Sequence, residues 1–218
     1  MTAIDRLPLT RRRIVAAALT LVDKHGVDAL SMRKLGKVLG VEAMSLYNHV
    51  TSKDDLLDGI ASLLLELVAL IDRPAEEARL QVTGGDWQSQ ARGIAGRVRA
   101  VGLAHPRAFP LLASRRLSSL DSWAPILEAF ALAERAGFSP EGAASVVSAM
   151  SGYIVGSVLL EIGDLAHGHR LGLEDVPAES LELRRYVAAR CDRDSGEVFR
   201  EGVDLLVAGM VHQLTTAP

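Results

Sequence analysis

Ser31-Met-Arg-Lys-Leu-Gly-Lys-Val-Leu-Gly-Val-Glu-Ala-Met-Ser-Leu-Tyr-Asn-His-Val-Thr-Ser-Lys53 is the stretch whose reading decides the fold. Ser31 is a good helix cap, and Met32, Leu35, Val38 and Leu39 follow at helical spacing, so a helix with these four facing inward is expected. Gly40 supplies the left-handed backbone of a tight turn. A further helix is expected from about Glu42 to His49, braced by Val41 and Leu46. Ala43, Met44, Tyr47 and Asn48 then point outward, with Ser45 and His49 at the edges. Two short helices joined in this way make a helix-turn-helix, which lays its second helix in the major groove of DNA. The outward residue types suit that task, since Asn pairs with adenine and Met contacts the thymine methyl. Arg33 can reach a base edge or a phosphate. Arg11, Arg12, Arg13, Lys37 and Lys53 are placed for phosphates, which position a protein without specifying sequence.

The charge distribution points the same way. The 218 residues carry a net charge of −3, which alone argues weakly against a polyanionic partner. Yet all four lysines (Lys24, Lys34, Lys37, Lys53) lie in the first 53 residues. That segment holds nine Lys and Arg against four Asp and Glu, a balance of +5. The remainder has 15 basic and 23 acidic residues, a balance of −8. A basic head on an acidic body implies that only the head approaches nucleic acid.

Outward from the motif the pattern stays helical. Ile14, Val15, Ala18, Leu19 and Val22 mark a helix from Thr10 to His25, ended by Gly26. Ser52 caps a helix with Asp55 at the capping-box position, carrying Leu56, Leu57, Ile60, Leu63, Leu64, Leu67 and Val68 to about Ile71. Arg73 to Gly85 is a composition break and the best linker. Helices are expected from Asp86 to about Ala104, to about Ser114, from Ser119 to Ala136, from Ser139-Pro140 to about Gly163, from Ala178 to Arg190 and from Ser195 to Leu214. No strict apolar alternation is present, so the fold class is all-α, with about nine to ten helices. The expected domains are a DNA-binding head (1–52), a connecting helix (53–72) and a C-terminal helical domain (73–218).

Gly142 to Leu160 carries no charge over 19 residues, long enough for a membrane span. Its serines and glycines favour a helix packed against protein. The lone Cys191 excludes an internal disulfide and fits a reducing, cytoplasmic setting. His167-Gly168-His169 with Glu161 and Asp164 is a poor metal set without a third partner, and no cofactor is expected. No phosphate-cradling loop or nucleophile–base pair supports an enzyme. The alternatives are a small-molecule-binding helical protein, or an enzyme, without DNA regulation.

Gly26, Leu30, Ser31-Met-Arg-Lys-Leu35, Leu39-Gly-Val41, Leu46-Tyr47, His49-Val50 and Lys53-Asp-Asp-Leu56-Leu57 together resemble the N-terminal domain of the TetR transcriptional repressors. The resemblance implies DNA contacts from Ser31, Met32 and Arg33 on the second helix. It implies base reading by Ala43, Met44, Ser45, Tyr47, Asn48 and His49, and a phosphate contact at Lys53. It also implies double-stranded DNA with a pseudo-palindromic operator, a small-molecule effector and a homodimer. Asp86-Trp87, His105-Pro106, Ala136-Gly137-Phe138-Ser139 and Gly152-Tyr153-Ile154-Val155-Gly156 extend the likeness more weakly into the C-terminal part. Two histidines that hold the metal–tetracycline chelate in this branch fall on Ala69 and Leu112, so the resemblance argues against that ligand here. An effector pocket is expected from Leu64, Trp87, His105, Phe109, Leu112, Trp123, Phe130, Met150 and Tyr153, although aromatics in an apolar bundle also serve as plain core. A dimer face is expected from Ser145, Ala149, Gly152 and Gly156 together with Val203, Leu206, Val207 and Met210. There, small residues let a partner helix approach closely and the last four make an apolar stripe.

Overall fold

The computed structural model describes residues 8–70, 87–117, 119–167, 172–191 and 193–216. The expected linker, the Asp86 cap and the Gly168-His169 pair lie outside them. The described residues form ten α-helices: α1 (Arg11–His25), α2 (Met32–Leu39), α3 (Ala43–Leu46), α4 (Lys53–Leu70), α5 (Trp87–Ala104), α6 (Leu111–Ser114), α7 (Ala124–Ala136), α8 (Pro140–His167), α9 (Leu181–Cys191) and α10 (Ser195–Thr216).

Local chemistry sets most boundaries. Thr10 Oγ1 accepts from the Arg13 N–H at 3.2 Å, and Ser31 Oγ from Lys34 at 3.3 Å. Ser52 Oγ accepts from Asp55 at 3.0 Å, and Ser139 Oγ from Gly142 at 3.2 Å. Each satisfies a first-turn N–H that has no partner within the helix. Four boundaries differ from expectation, one being that α9 begins at Leu181 rather than Ala178. α3 stops at Leu46 and continues as turns through His49. α7 begins at Ala124 rather than Ser119, with Pro125 in its first turn and a 3-10 turn (Asp121–Trp123) before it. A proline ring fits only the start of a helix, so residues 119–123 cannot belong to the same regular helix. α8 runs four residues past Gly163.

The chain divides into two compact units, one of Met1–Ile71 with Ala104–Leu127 and one of Asp72–Leu103 with Glu128–Pro218. The compact units thus break differently from the expected boundaries at 52 and 72. α4, α6 and residues 104–127 belong with the head, because α6 and the 3-10 turn pack directly on α4. The core of this first unit is Ile14, Ala18, Leu19 and Val22 of α1, Leu35, Leu46 and Val50, and Leu56, Ile60, Leu64 and Val68 of α4, with Phe109 fully buried. In the second unit α8 packs on α10. Met150, Ile154 and Val158 of α8 and Phe199, Val203, Val207 and Met210 of α10 are buried. Tyr153 stacks on Phe199 with ring centres 6.1 Å apart, and its hydroxyl donates to the Phe199 carbonyl at 3.2 Å.

Candidate nucleic-acid interface

The helix-turn-helix is built from short-range contacts. Gly40 adopts φ 71°, ψ 29°, the left-handed conformation expected of it, and ends α2. The Val41 N–H then donates back to the Gly36 carbonyl at 2.9 Å. Gly36 makes this return possible, since a Cβ there would lie 2.7 Å from the Val41 oxygen. Sequence reading passed over Gly36. Its signal was a glycine inside a helix, where it costs about 1 kcal/mol and so needs a packing reason.

α2 does not present the inward face first drawn. Leu35 and Gly36 are buried and Leu39 is half-buried, but Val38 is 59% exposed. The close approach of the turn at Gly36 rotates the buried face onto Leu35 and Gly36 and carries Val38 outward. Leu46 is the only side chain of α3 that is fully buried. Around it Met44 (74% exposed), Tyr47 and Asn48 stand in solvent, while Ala43, Ser45 and His49 are half-buried. Met44, Tyr47 and Asn48 therefore face outward as expected and Ser45 and His49 lie at the edges, whereas Ala43, expected outward, is half-buried. Ser31, Arg33, Lys34, Lys37 and Lys53 are exposed beside it, and Met32 is half-buried.

Arg11 is a correction. Its guanidinium does not stand free for a phosphate but grips the Asp55 carboxylate at 2.5 and 2.9 Å, and also donates to the His49 carbonyl at 3.3 Å. Asp55 in turn accepts from the Thr51 N–H at 2.7 Å. The guanidinium, helped by the Thr51 N–H, holds the Asp55 carboxyl down from 3.8 to about 2. α1, α4 and the turn after α3 are thereby tied in one charge-assisted knot. Charge periodicity put Arg11 on the basic face, but the two partners are 44 residues apart, and no local signal pairs them.

The nine residues expected around an effector fall in both units. In the first, Leu64 and Phe109 are fully buried, Leu112 is half-buried and Trp123 is 43% exposed. His105 Nδ1 lies 2.8 Å from Asp23 Oδ2. In the second, Trp87 meets Phe138 edge-on at 6.4 Å, Met150 is buried, Phe130 is half-buried, and Tyr153 is committed to Phe199. A polar cleft in the second unit is lined by Ser157, Glu161, Asp164, Arg190 and Ser195 among others, none of them expected. Glu161 there accepts from Arg99 Nη2 at 2.6 Å and Nε at 2.8 Å.

The expected dimer face needs a second correction. Val203, Val207 and Met210 are buried inside the chain and Leu206 is half-buried, because α10 turns this stripe onto its own α8. Ser145, Ala149 and Gly152 are exposed and Gly156 half-exposed. Leu160 and Leu165 of α8 and Leu205 of α10 (75% exposed) are the large apolar side chains left outside on the described residues of these two helices. By length and composition α8 could cross a membrane, with a mean hydropathy of 1.7 and 22% of that window buried.

Residues 14–60 match the model of the bacterial regulatory proteins of the tetR family, and residues 81–214 that of the tetracyclin repressor-like C-terminal domain. An HTH-type transcriptional regulator of Saccharopolyspora erythraea is 34% identical over 210 residues, covering 93% of this chain and 84% of that protein. Tetracycline repressor protein class D of Escherichia coli is 30% identical over 212 residues, covering 95% and 91%. The crystal structure of the Streptomyces coelicolor TetR family protein ActR in complex with actinorhodin superposes with a TM-score of 0.76 at 26% identity, over 95% of this chain and 99% of that one. With a helix-turn-helix of this geometry and matches over both parts, the chain belongs to the TetR family of transcriptional regulators.

Proposed function

We propose that this protein is a cytoplasmic, dimeric operator-binding repressor, without enzymatic activity, whose grip on DNA is released by a small molecule bound in its C-terminal part. The observation that carries the reading is the exposed face of α3, with Met44, Tyr47 and Asn48 in solvent above the buried Leu46 and flanked by Arg33, Lys37 and Lys53. Two such faces enter successive major grooves of a pseudo-palindrome about one helical turn apart. Relatives named as tetracycline repressors, and ActR bound to actinorhodin, support release by a small ligand. Ala69 and Leu112 offer no metal-binding side chain, which argues against a metal–tetracycline chelate as the effector. The effector must bind the released state more tightly than the DNA-bound one, because equal binding shifts nothing.

The second copy covers the outward face of α8, where Ser145, Ala149, Gly152 and Gly156 permit a close helix approach beside Leu160 and Leu205. A gel shift with the purified protein and the DNA flanking its own gene tests the reading. Retardation that weakens steeply with salt is expected, and Asn48→Ala should relax base preference by roughly 1–3 kcal/mol at one position of each half-site. Failure to bind any fragment more tightly than random DNA would sink the proposal.

A further inference from the structure

α3 is too short to hold its own position. A helix of four residues closes barely one turn and has no stability apart from its surroundings. Leu46 is its one fully buried side chain, and a single plug fixes depth but leaves tilt and rotation open. The backbone is moored at its two ends by different groups. At the start, a Cβ on Gly36 would lie 3.3 Å from the Ala43 nitrogen, and the Val41 N–H returns to the Gly36 carbonyl at 2.9 Å. At the far end, after the turns of residues 47–49, Arg11 Nη1 donates to the His49 carbonyl at 3.3 Å. The same nitrogen donates to Asp55 Oδ2 at 2.9 Å, and Nη2 donates to Asp55 Oδ1 at 2.5 Å. Asp55 Oδ2 also takes the Thr51 N–H at 2.7 Å and the Thr51 hydroxyl at 3.2 Å. One guanidinium thus holds the carbonyl of the residue after Asn48 and the carboxylate two residues after Lys53.

We propose that Arg11 and Asp55 are positioning residues for DNA binding, which hold the Asn48 end of the recognition surface in register with Lys53. The inference rests on the operator-binding reading above. The two moorings are separate, so the two ends of the surface respond separately. Met44 stands one residue after the Gly36 contact, and Asn48 one residue before the carbonyl that Arg11 holds. Asp55 lets the sign of an effect decide the matter. A carboxylate on a basic head repels phosphate, so electrostatics alone makes DNA binding tighter when it is removed. Positioning requires the opposite, because without Asp55 the guanidinium loses the two-pronged, charge-assisted grip that fixes it beside the His49 carbonyl.

The test uses the full-length protein, well below its melting midpoint, and the duplex that the unaltered protein enriches from a random library. Met44→Ala and Asn48→Ala first mark the base pairs that each end reads, through a loss of roughly tenfold in preference there. Arg11→Ala and Asp55→Ala should then each weaken binding about three- to tenfold. Both should flatten the preference at the pair marked by Asn48 and leave that at the pair marked by Met44. Asp55→Asn, which keeps an acceptor for Thr51, serves if Asp55→Ala does not fold, and should weaken binding about twofold or more. Tighter or unchanged binding by the Asp55 variants overturns the proposal. So does an even loss of preference across all base pairs, which is what a merely loosened head gives, and so does an earlier melt with the preferences intact. If Asn48→Ala marks no base pair, that end reads no sequence and the proposal fails with it. Should the unaltered protein enrich no duplex, the operator-binding reading falls first and takes the positioning role with it.

Discussion

α4 and α8 are both long apolar helices, yet they solve the burial problem in opposite ways. α4 turns Leu56, Leu57, Ile60, Leu64 and Val68 onto α1 and α6 of its own unit, and all five are buried. In α8 only 22% of the most apolar window is buried, and the side chains left outside are mostly Ala, Ser and Gly. The contrast teaches that exposure of apolar surface is tolerated where it is paved with small residues. They give a partner helix a close seat while offering water little greasy area. The head is complete within one chain, and under the proposed function the second unit is finished by association with a second copy.

The sharpest way to break this contrast is to place a charge on the small-residue face. Gly152→Glu should convert the protein to monomers in analytical ultracentrifugation. Loss of two-site binding should lower operator affinity by about a hundredfold or more, while the head melts normally. A dimer that survives this change would place the interface elsewhere. A change confined to the head comes next in size. Gly36→Ala drives a Cβ against the Val41 carbonyl oxygen at 2.7 Å, and backbone cannot swing aside as a side chain can. About 1–3 kcal/mol of overpacking, partly offset by better helix propensity, should lower the denaturation midpoint. An unchanged midpoint would show that the turn can breathe.

Asp55→Asn should cost the head about 1–2 kcal/mol at pH 7, a figure reduced because Arg11 is partly exposed. Asp55 has a folded-state pKa depressed from 3.8 to about 2. Its contribution is therefore present above about pH 4 and lost as pH falls toward 2. Urea melts of both forms at pH 7 and in this acid range should converge at the low end, and a constant gap would rule the carboxylate out. The smallest effect is expected from Lys53→Ala. It should reduce the salt slope of DNA binding by about one ion and weaken affinity uniformly across sequences.

Much of this was legible in the chain because it depends on neighbours in sequence. Ser31, Gly40, Leu46 and Ser52 act within four residues of themselves, so caps, turn and brace could be read directly. What escaped depends on distance. Arg11 and Asp55 look like separate surface charges until α1 lies across α4. The stripe Val203, Val207, Met210 is the same whether it faces its own α8 or a second chain, and periodicity carries no information about which. The short extent of α3 escaped for another reason: residues 47–49 form turns without a glycine or proline to mark the helix end.

The single anchor of α3 has a bearing on design. None of the six residues at 43, 44, 45, 47, 48 and 49 is buried, and Leu46 alone plugs the helix into the core. Under the proposed function this face is a removable key held by one pin, and combinatorial libraries at those six positions should yield folded proteins with altered operators. The rest of the chain would serve as an unchanged chassis for building orthogonal genetic sensors.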